Sequence, residues 1–468
     1  MKTINRIIIL LLIVGFSLSA CSMLTYGEEI GSDTEALEII ALTETEEIQN
    51  TKAASPKFTI VAEEMLQPAL TKLYTAYYPG ETPVFLEQGG ELAAIHEYKI
   101  GGEHPQIPAA FLPNGYLIPQ SESREMLDFI DYAISEEGER KLIDEGFLPA
   151  SITVTDQAGN TVEITQPIER VISTNGPATS FIYGVNAQNR LVSASYLGAR
   201  DAFGAATMER IDPRFQELYG DEYFTQELFS IEQSISLDPD LIIASARTSW
   251  LETADELGFS VVLYDAETPE RLVEAIRLTG ELFGPREMAY ADVWIAYYHR
   301  IVETIREQTA VIPNDERPRV LFTGTDALKV ASGNMYQTSM IEFAGGISVS
   351  SELSGYWQEV NLEQIALWGP DVIIVPPYGG ASVGAIVESQ EWQILDAVQK
   401  GQVYRMPKLV VPWDTPAPDS VLGIVWLAQL LNPGTIDLDC SVEANYFYNT
   451  FYNYKITEDE IATICTFD

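Results

Sequence analysis

The 468-residue chain has little of what metal centres and nucleophilic active sites are made from: three cysteines, Cys21, Cys440 and Cys465, and three histidines, His96, His104 and His299. A bare transition-metal site needs clustered His, Cys or carboxylate ligands. His96 and His104 flank Gly101-Gly102 and read as solvated loop residues. No metal site and no cofactor is expected. Also missing are a G-x-S-x-G elbow, a P-loop, a G-x-G-x-x-G after a strand and a histidine placed for base catalysis. The chain therefore does not read as an enzyme. Basic residues number 27 against 69 acidic ones, a net charge of −42, which excludes a general nucleic-acid backbone binder. No later segment supplies the run of about 20 apolar residues that a spanning helix needs.

The longest apolar run opens the chain. Lys2 and Arg6 precede Ile7 to Phe16, and Leu18-Ser19-Ala20-Cys21 follows. A short basic region, a short apolar region and a small-residue cleavage site make residues 1–20 an export signal. Leu-Ser-Ala-Cys resembles the lipobox of bacterial lipoproteins. That resemblance implies that Cys21 carries lipid and anchors the protein on the extracytoplasmic face of the cell membrane. Residues 21–56 are acidic, with Glu28, Glu29, Asp33, Glu35, Glu38, Glu44, Glu46 and Glu47 ahead of Lys52. Like charges extend such a segment into a tether. Export also permits a disulfide between Cys440 and Cys465, although spacing alone leaves two buried thiols open.

Residues 57–150 form a first α/β unit. FTIVAEEM reads as a strand and QPALTKLYTAYY as a helix; REMLDFIDYAISEEGERKLIDEGFLPAS is a further helical stretch. Its EEGERKLIDEGFLPA run resembles the closing motif of type II binding proteins, the molybdate and phosphate kind. Those proteins need well over twice this length for two lobes, so the unit reads as truncated.

In residues 151–468 strands alternate with helices: RVIST, RLVSAS, DLIIAS and SVVLYD, then RVLFTG, DVIIVPP and QVYRMP. Such alternation implies parallel sheets with crossover helices. Lobe 1 is expected over about 151–268, linking helices over 269–309 and lobe 2 over 310–468. Within the link, Val293, Trp294, Tyr297, Tyr298, Ile301, Val302 and Ile305 recur at helical spacing. An internal repeat marks the halves. SIEQSISLDPDLII (230–243) and NLEQIALWGPDVII (361–374) share Glu-Gln, a later Pro-Asp and an apolar strand.

These motifs, with DQAGNTVEITQPIERVIS, MIEFAGG and PWDTPAPDSVLGIVWLAQLLNP, resemble the type III, cobalamin- and siderophore-binding class of ABC importer binding proteins. The resemblance implies two Rossmann-like lobes joined by one long helix, with the ligand between them. It also implies that Glu232 and Glu363 dock on a permease served by an ATPase. Open α/β sheets bind ligands beyond their strand carboxyl ends. The residues there are Asn175, Tyr196, Arg200, Arg247 and Trp250 from lobe 1, and Asn334, Tyr336, Tyr356, Trp357, Tyr378 and Trp413 from lobe 2. Aromatic faces suit a large flat ligand; the arginines suit an anion. The turn Ser332-Gly333-Asn334 could present backbone N–H groups to an anion. The expected role is capture of a chelated metal compound (ferric siderophore, haem or corrinoid) by a monomeric, lipid-anchored protein. The alternative ligand is molybdate or tungstate; a weaker alternative is an enzyme on a chelatase-like fold.

Overall fold

The computed structural model describes residues 56–195, 201–220 and 222–467. The signal, Cys21, nearly all of the tether, Tyr196 and Arg200 lie outside the described residues.

The first unit comprises β1 (Thr59–Ala62), α1 (Gln67–Tyr77), β2 (Val84–Phe85), β3 (Leu92–Ile95), β4 (Ala109–Leu112), β5 (Gly115–Pro119), α2 (Arg124–Ala133) and α3 (Glu136–Asp144). Its sheet has the order β2-β1-β3-β5-β4. Ile60, Leu70, Leu73, Tyr74, Leu92 and Phe129 are fully buried in a core of the unit's own. The helical stretch expected after Arg124 is two helices. Ser135 breaks it by accepting a bond from the Gly138 N–H at 3.2 Å. Gly138 is required there, since a Cβ would lie 2.4 Å from the Tyr132 carbonyl oxygen.

A hairpin of β6 (Ser151–Thr155) and β7 (Thr161–Thr165) leads into lobe 1. That lobe holds β8 (Val171–Ser173), α4 (Gly176–Gly184), β9 (Leu191–Ala194), α5 (Ala202–Ile211), α6 (Phe215–Leu218), α7 (Ile231–Leu237), β10 (Leu241–Ser245), α8 (Leu251–Glu256) and β11 (Val261–Tyr264). Then come α9 (Pro269–Phe283) and α10 (Pro285–Thr309). Lobe 2 holds β12 (Arg319–Phe322), β13 (Lys329–Val330), α11 (Tyr336–Phe343), β14 (Ile347–Ser348), β15 (Gln358–Glu359), α12 (Leu362–Trp368), β16 (Val372–Val375), α13 (Val383–Val387), α14 (Asp396–Gln399) and β17 (Val403–Arg405). Three helices close the chain: α15 (Ser420–Leu431), α16 (Cys440–Phe451) and α17 (Glu458–Ile464). The two four-stranded sheets, β11-β10-β8-β9 and β14-β12-β16-β17, are separate and parallel. Their central strands are buried on both faces, which is why Leu241 to Ala244 and Val372 to Val375 read as unbroken apolar runs.

The structure gives the repeat a physical cause. Asp240 Oδ2 accepts from the Glu169 and Arg170 backbone N–H groups, both at 2.8 Å, and Asp371 Oδ2 accepts from Arg319 N–H at 2.9 Å. Each aspartate thus pins the start of its strand to the lobe's first strand. Arg170 donates to the Leu237 carbonyl and Arg319 to the Trp368 carbonyl, at 2.6 and 2.7 Å, closing the ends of α7 and α12. Both helices stop on a left-handed residue, Asp238 (φ 43°) and Gly369 (φ 57°).

Helix α10 is 25 residues long, about 37 Å at 1.5 Å per residue. Its buried stripe of Val293, Trp294, Tyr297, Tyr298, Ile301 and Ile305 lies in one apolar core shared by both lobes. Packing contacts add to this connection. The last helices return to lobe 1, where Glu460 takes an ion pair from Arg210 and Tyr183 stacks on Tyr452 at 5.6 Å. Cys440 and Cys465 form a disulfide joining α16 to the end of α17.

Candidate ligand-binding cleft

The carboxyl ends of the two sheets face one another, and the loops leaving them touch. Arg247, two residues beyond β10, lies with its guanidinium 4.3 Å from the centroid of the Tyr356 ring of lobe 2. A cation over an aromatic face is attracted by the ring quadrupole, worth about 0.5–1 kcal/mol at an exposed site. Arg247 also pairs with Glu267 beyond β11 at 2.7 Å. A second bridge joins Lys408, beyond β17, to Asp201 of lobe 1. Burial lowers the Lys408 pKa. At the base of the cleft, Gly176, Thr179 and Ser180 at the start of α4 approach Val410 and Val411, leaving a hollow of about 10 Å³.

Deeper in lobe 2, the Tyr378 hydroxyl donates to Asp414 Oδ2 at 2.6 Å. Burial pushes the Asp414 carboxyl up to about 6, against the opposing bond from Tyr378. Asp414 Oδ1, Gln337 Oε1 and Asn175 Nδ2 are buried polar atoms without a hydrogen-bond partner. Each such atom costs about 1–3 kcal/mol unless water or a ligand satisfies it. Asn175 caps α4 through its Oδ1, which accepts from Ala178 N–H at 3.0 Å. Burial, and then the Asp414 charge, raise the Tyr378 pKa; the charge of Glu267 in lobe 1 adds to the effect.

Of the residues expected from sequence, the structure brings Asn175, Arg247, Asn334, Tyr356, Trp357 and Tyr378 to the strand-end loops. Tyr356 is 49% exposed. Three others are corrected. Trp250 is 7% exposed; it stacks on Phe229 at 4.4 Å and donates its indole N–H to the Thr225 carbonyl. Tyr336 is fully buried, its hydroxyl bonded to Ser420 Oγ, and Trp413 is fully buried with its indole N–H on the Tyr448 hydroxyl. These three rings are core packing and present no stacking face. The Ser332–Asn334 turn is likewise committed. Gly333 N–H donates to Leu353, Ser332 Oγ donates to the Gly355 carbonyl, and Asn334 Oδ1 accepts from Gly355 N–H. Sequence reasoning missed Asp201, Glu267, Lys408 and Asp414. All but Asp201 lie just beyond strand ends or in the prolyl loop Pro412–Pro418, and that position is the signal that would have found them.

Among the described residues no group of three His, Cys, Asp or Glu side chains could hold a metal ion, and no helix is long and apolar enough to cross a membrane.

Glu232 and Glu363 sit exposed in the first turns of α7 and α12. Two parallel sheets thus face one another, and loops beyond them are bridged by Arg247 on Tyr356 and by Lys408 with Asp201. Residues 222–409 match the family described as periplasmic binding protein. The molybdate-binding protein MolA of Haemophilus influenzae is 26% identical over 234 residues, 50% of this chain and 66% of that protein. A vitamin B12-binding protein of Vibrio vulnificus is 22% identical over 216 residues, 45% of this chain and 72% of its own. Among solved structures, a periplasmic solute-binding protein from Veillonella parvula is 27% identical with a TM-score of 0.58. That match covers 67% of this chain and 96% of the other. Molybdate-bound MolA also has a TM-score of 0.58, at 21% identity, covering 65% and 99%.

Proposed function

We propose that the protein is the extracytoplasmic receptor of an ABC importer, taking a small solute into the interlobe cleft and handing it to a permease driven by an ATPase. The apposition of two strand-end surfaces, with Arg247 of lobe 1 over Tyr356 of lobe 2, carries this reading. The exposed Glu232 and Glu363, one per lobe and equivalent by the repeat, serve as a two-point electrostatic register on the permease. Cys21 holds the protein at the membrane by lipid, and the receptor works as a monomer.

The ligand is a chelated metal compound. Tyr356, Trp357 and Tyr378 supply aromatic surface at the cleft. The carboxylates Glu267, Asp201 and Asp265 are paired with Arg247, Lys408 and Arg271, whereas Asp414 Oδ1 and Gln337 Oε1 are buried acceptors without a partner, which favours a ligand bearing hydrogen-bond donors. A second reading, molybdate or tungstate, is favoured by the higher identity to MolA than to the B12-binding relatives. Titration calorimetry on solute-free full-length protein separates them, using molybdate, tungstate, cobalamin, haem and a ferric siderophore. Heat with a chelate supports the first reading. Heat with the tetraoxoanions alone supports the second.

A further inference from the structure

Residues 57–150 have a core of their own, yet they are fastened to the two-lobe body at two seams. At the first, α3 meets lobe 1. The buried Arg190 guanidinium donates to Glu139 Oε2 at 2.9 Å and lies 3.5 Å from Glu287 at the start of α10. Arg140 pairs with Glu169, and Asn189 donates to Glu136. At the second seam, the loop before β4 meets α10 and α16. The His104 ring stacks on Tyr446 at 4.5 Å, and its Nε2 is 3.4 Å from the buried Glu443. Tyr446 donates to the Pro105 carbonyl at 2.6 Å, while Glu443 also takes bonds from Tyr297 (3.0 Å) and Arg300 (2.8 Å) of α10. Between the seams β4 lies along α10. From Glu287 to Arg300 is 13 residues of helix, about 20 Å.

The far anchor is tied to lobe 2, although the end of α16 also stacks Tyr452 on Tyr183 of lobe 1. Helix α16 packs on α15, and its Tyr448 and Tyr452 donate to the buried Asp419 at 3.1 and 2.6 Å. The unit therefore grips lobe 1 at one end of the connecting helix and the helix bound to lobe 2 at the other.

We propose that residues 57–150 act as a brace across the interlobe hinge, fixing the spacing of the two lobes, rather than as a second binding domain. Bending α10 must break one seam or the other: at the first the buried Arg190 guanidinium loses its closest carboxylate, Glu139, and at the second the Tyr446–Pro105 bond and the His104–Tyr446 stack are lost. The free receptor is thus held near the lobe spacing seen here, which lowers the ordering cost of ligand capture.

The test uses the full-length chain with Cys21→Ser and the native disulfide intact. Spin labels sit at Glu256→Cys on lobe 1 and Glu388→Cys on lobe 2, and pulsed dipolar spectroscopy reads the interlobe distance without any ligand. The variant His104→Ala/Glu139→Ala/Arg140→Ala opens both seams. Arg124→Ala, an exposed side chain at the start of α2, serves as control. Hydrogen exchange over residues 105–112 reports whether the unit has come away. The brace predicts a narrow distribution in the parent and control, and a broad one in the triple variant. A triple variant whose seam exchanges freely while its distribution stays as narrow as the parent's overturns the proposal.

Discussion

The most instructive perturbation is Asp419→Asn. Asp419 is fully buried where the prolyl loop meets α15, and Tyr448 and Tyr452 donate to its two oxygens. Tyr448 in turn accepts the Trp413 indole N–H at 3.2 Å, so the cluster anchors the loop that carries Asp414 into lobe 2. Burial pushes the Asp419 carboxyl from 3.8 up to about 7, against the two tyrosine bonds. A carboxyl whose folded pKa is raised binds its proton more tightly in the native state. Its contribution is therefore fully present below about pH 4 and is lost as pH rises to about 7. At about 1.4 kcal/mol per pH unit, ionisation removes on the order of 4 kcal/mol across that window. Asparagine cannot ionise and removes the slope. Urea unfolding at pH 5 and pH 7, with midpoint and m-value measured at each, reads the effect. The parent is expected to lose about 2–3 kcal/mol more than the variant between those pH values. Glu139, raised to about 7, and Asp414, raised to about 6, act in the same direction in both proteins and cancel in the comparison. Equal losses in the two proteins refute the assignment.

Trp250→Ala is expected to cost about 3–5 kcal/mol of stability by opening a cavity in the core of lobe 1; circular dichroism melts check this, and an unchanged melting temperature contradicts the packing role. Cys440→Ser/Cys465→Ser releases a 25-residue loop and is expected to lower stability by about 3 kcal/mol, seen as a lower urea midpoint. Glu232→Lys/Glu363→Lys is expected to abolish cellular uptake while leaving ligand affinity intact; a loss of affinity in calorimetry contradicts their placement on the docking face.

Much of the architecture was legible because local chemistry and global fold agree. The Pro-Asp pairs could be read as strand starts since Asp240 and Asp371 act on backbone groups of the adjacent strand wherever this unit recurs. Apolar runs such as Leu241 to Ala244 announce strands covered on both sides. The cleft was legible only in outline. Strand-end position located Arg247, Tyr356 and Tyr378, but nothing local says which way a ring turns. Trp250, Tyr336 and Trp413 are buried by Phe229, Ser420 and Tyr448, residues distant in sequence. The bridges are equally non-local: Arg247 meets Glu267 20 residues away, and Lys408 meets Asp201 across 207. The break at Ser135 was legible in principle as a cap within SEEG, and was masked by the helical residues on both sides.

Hydrogen exchange of the protein, with and without whichever of cobalamin, haem, a ferric siderophore or molybdate gives heat in the calorimetry, tests the cleft most directly. Binding should slow exchange together in strand-end loops of both lobes, around 174–179 and 246–248 in lobe 1 and around 355–358, 376–380 and 406–415 in lobe 2. Protection restricted to one lobe, or appearing only within residues 57–150, would contradict it.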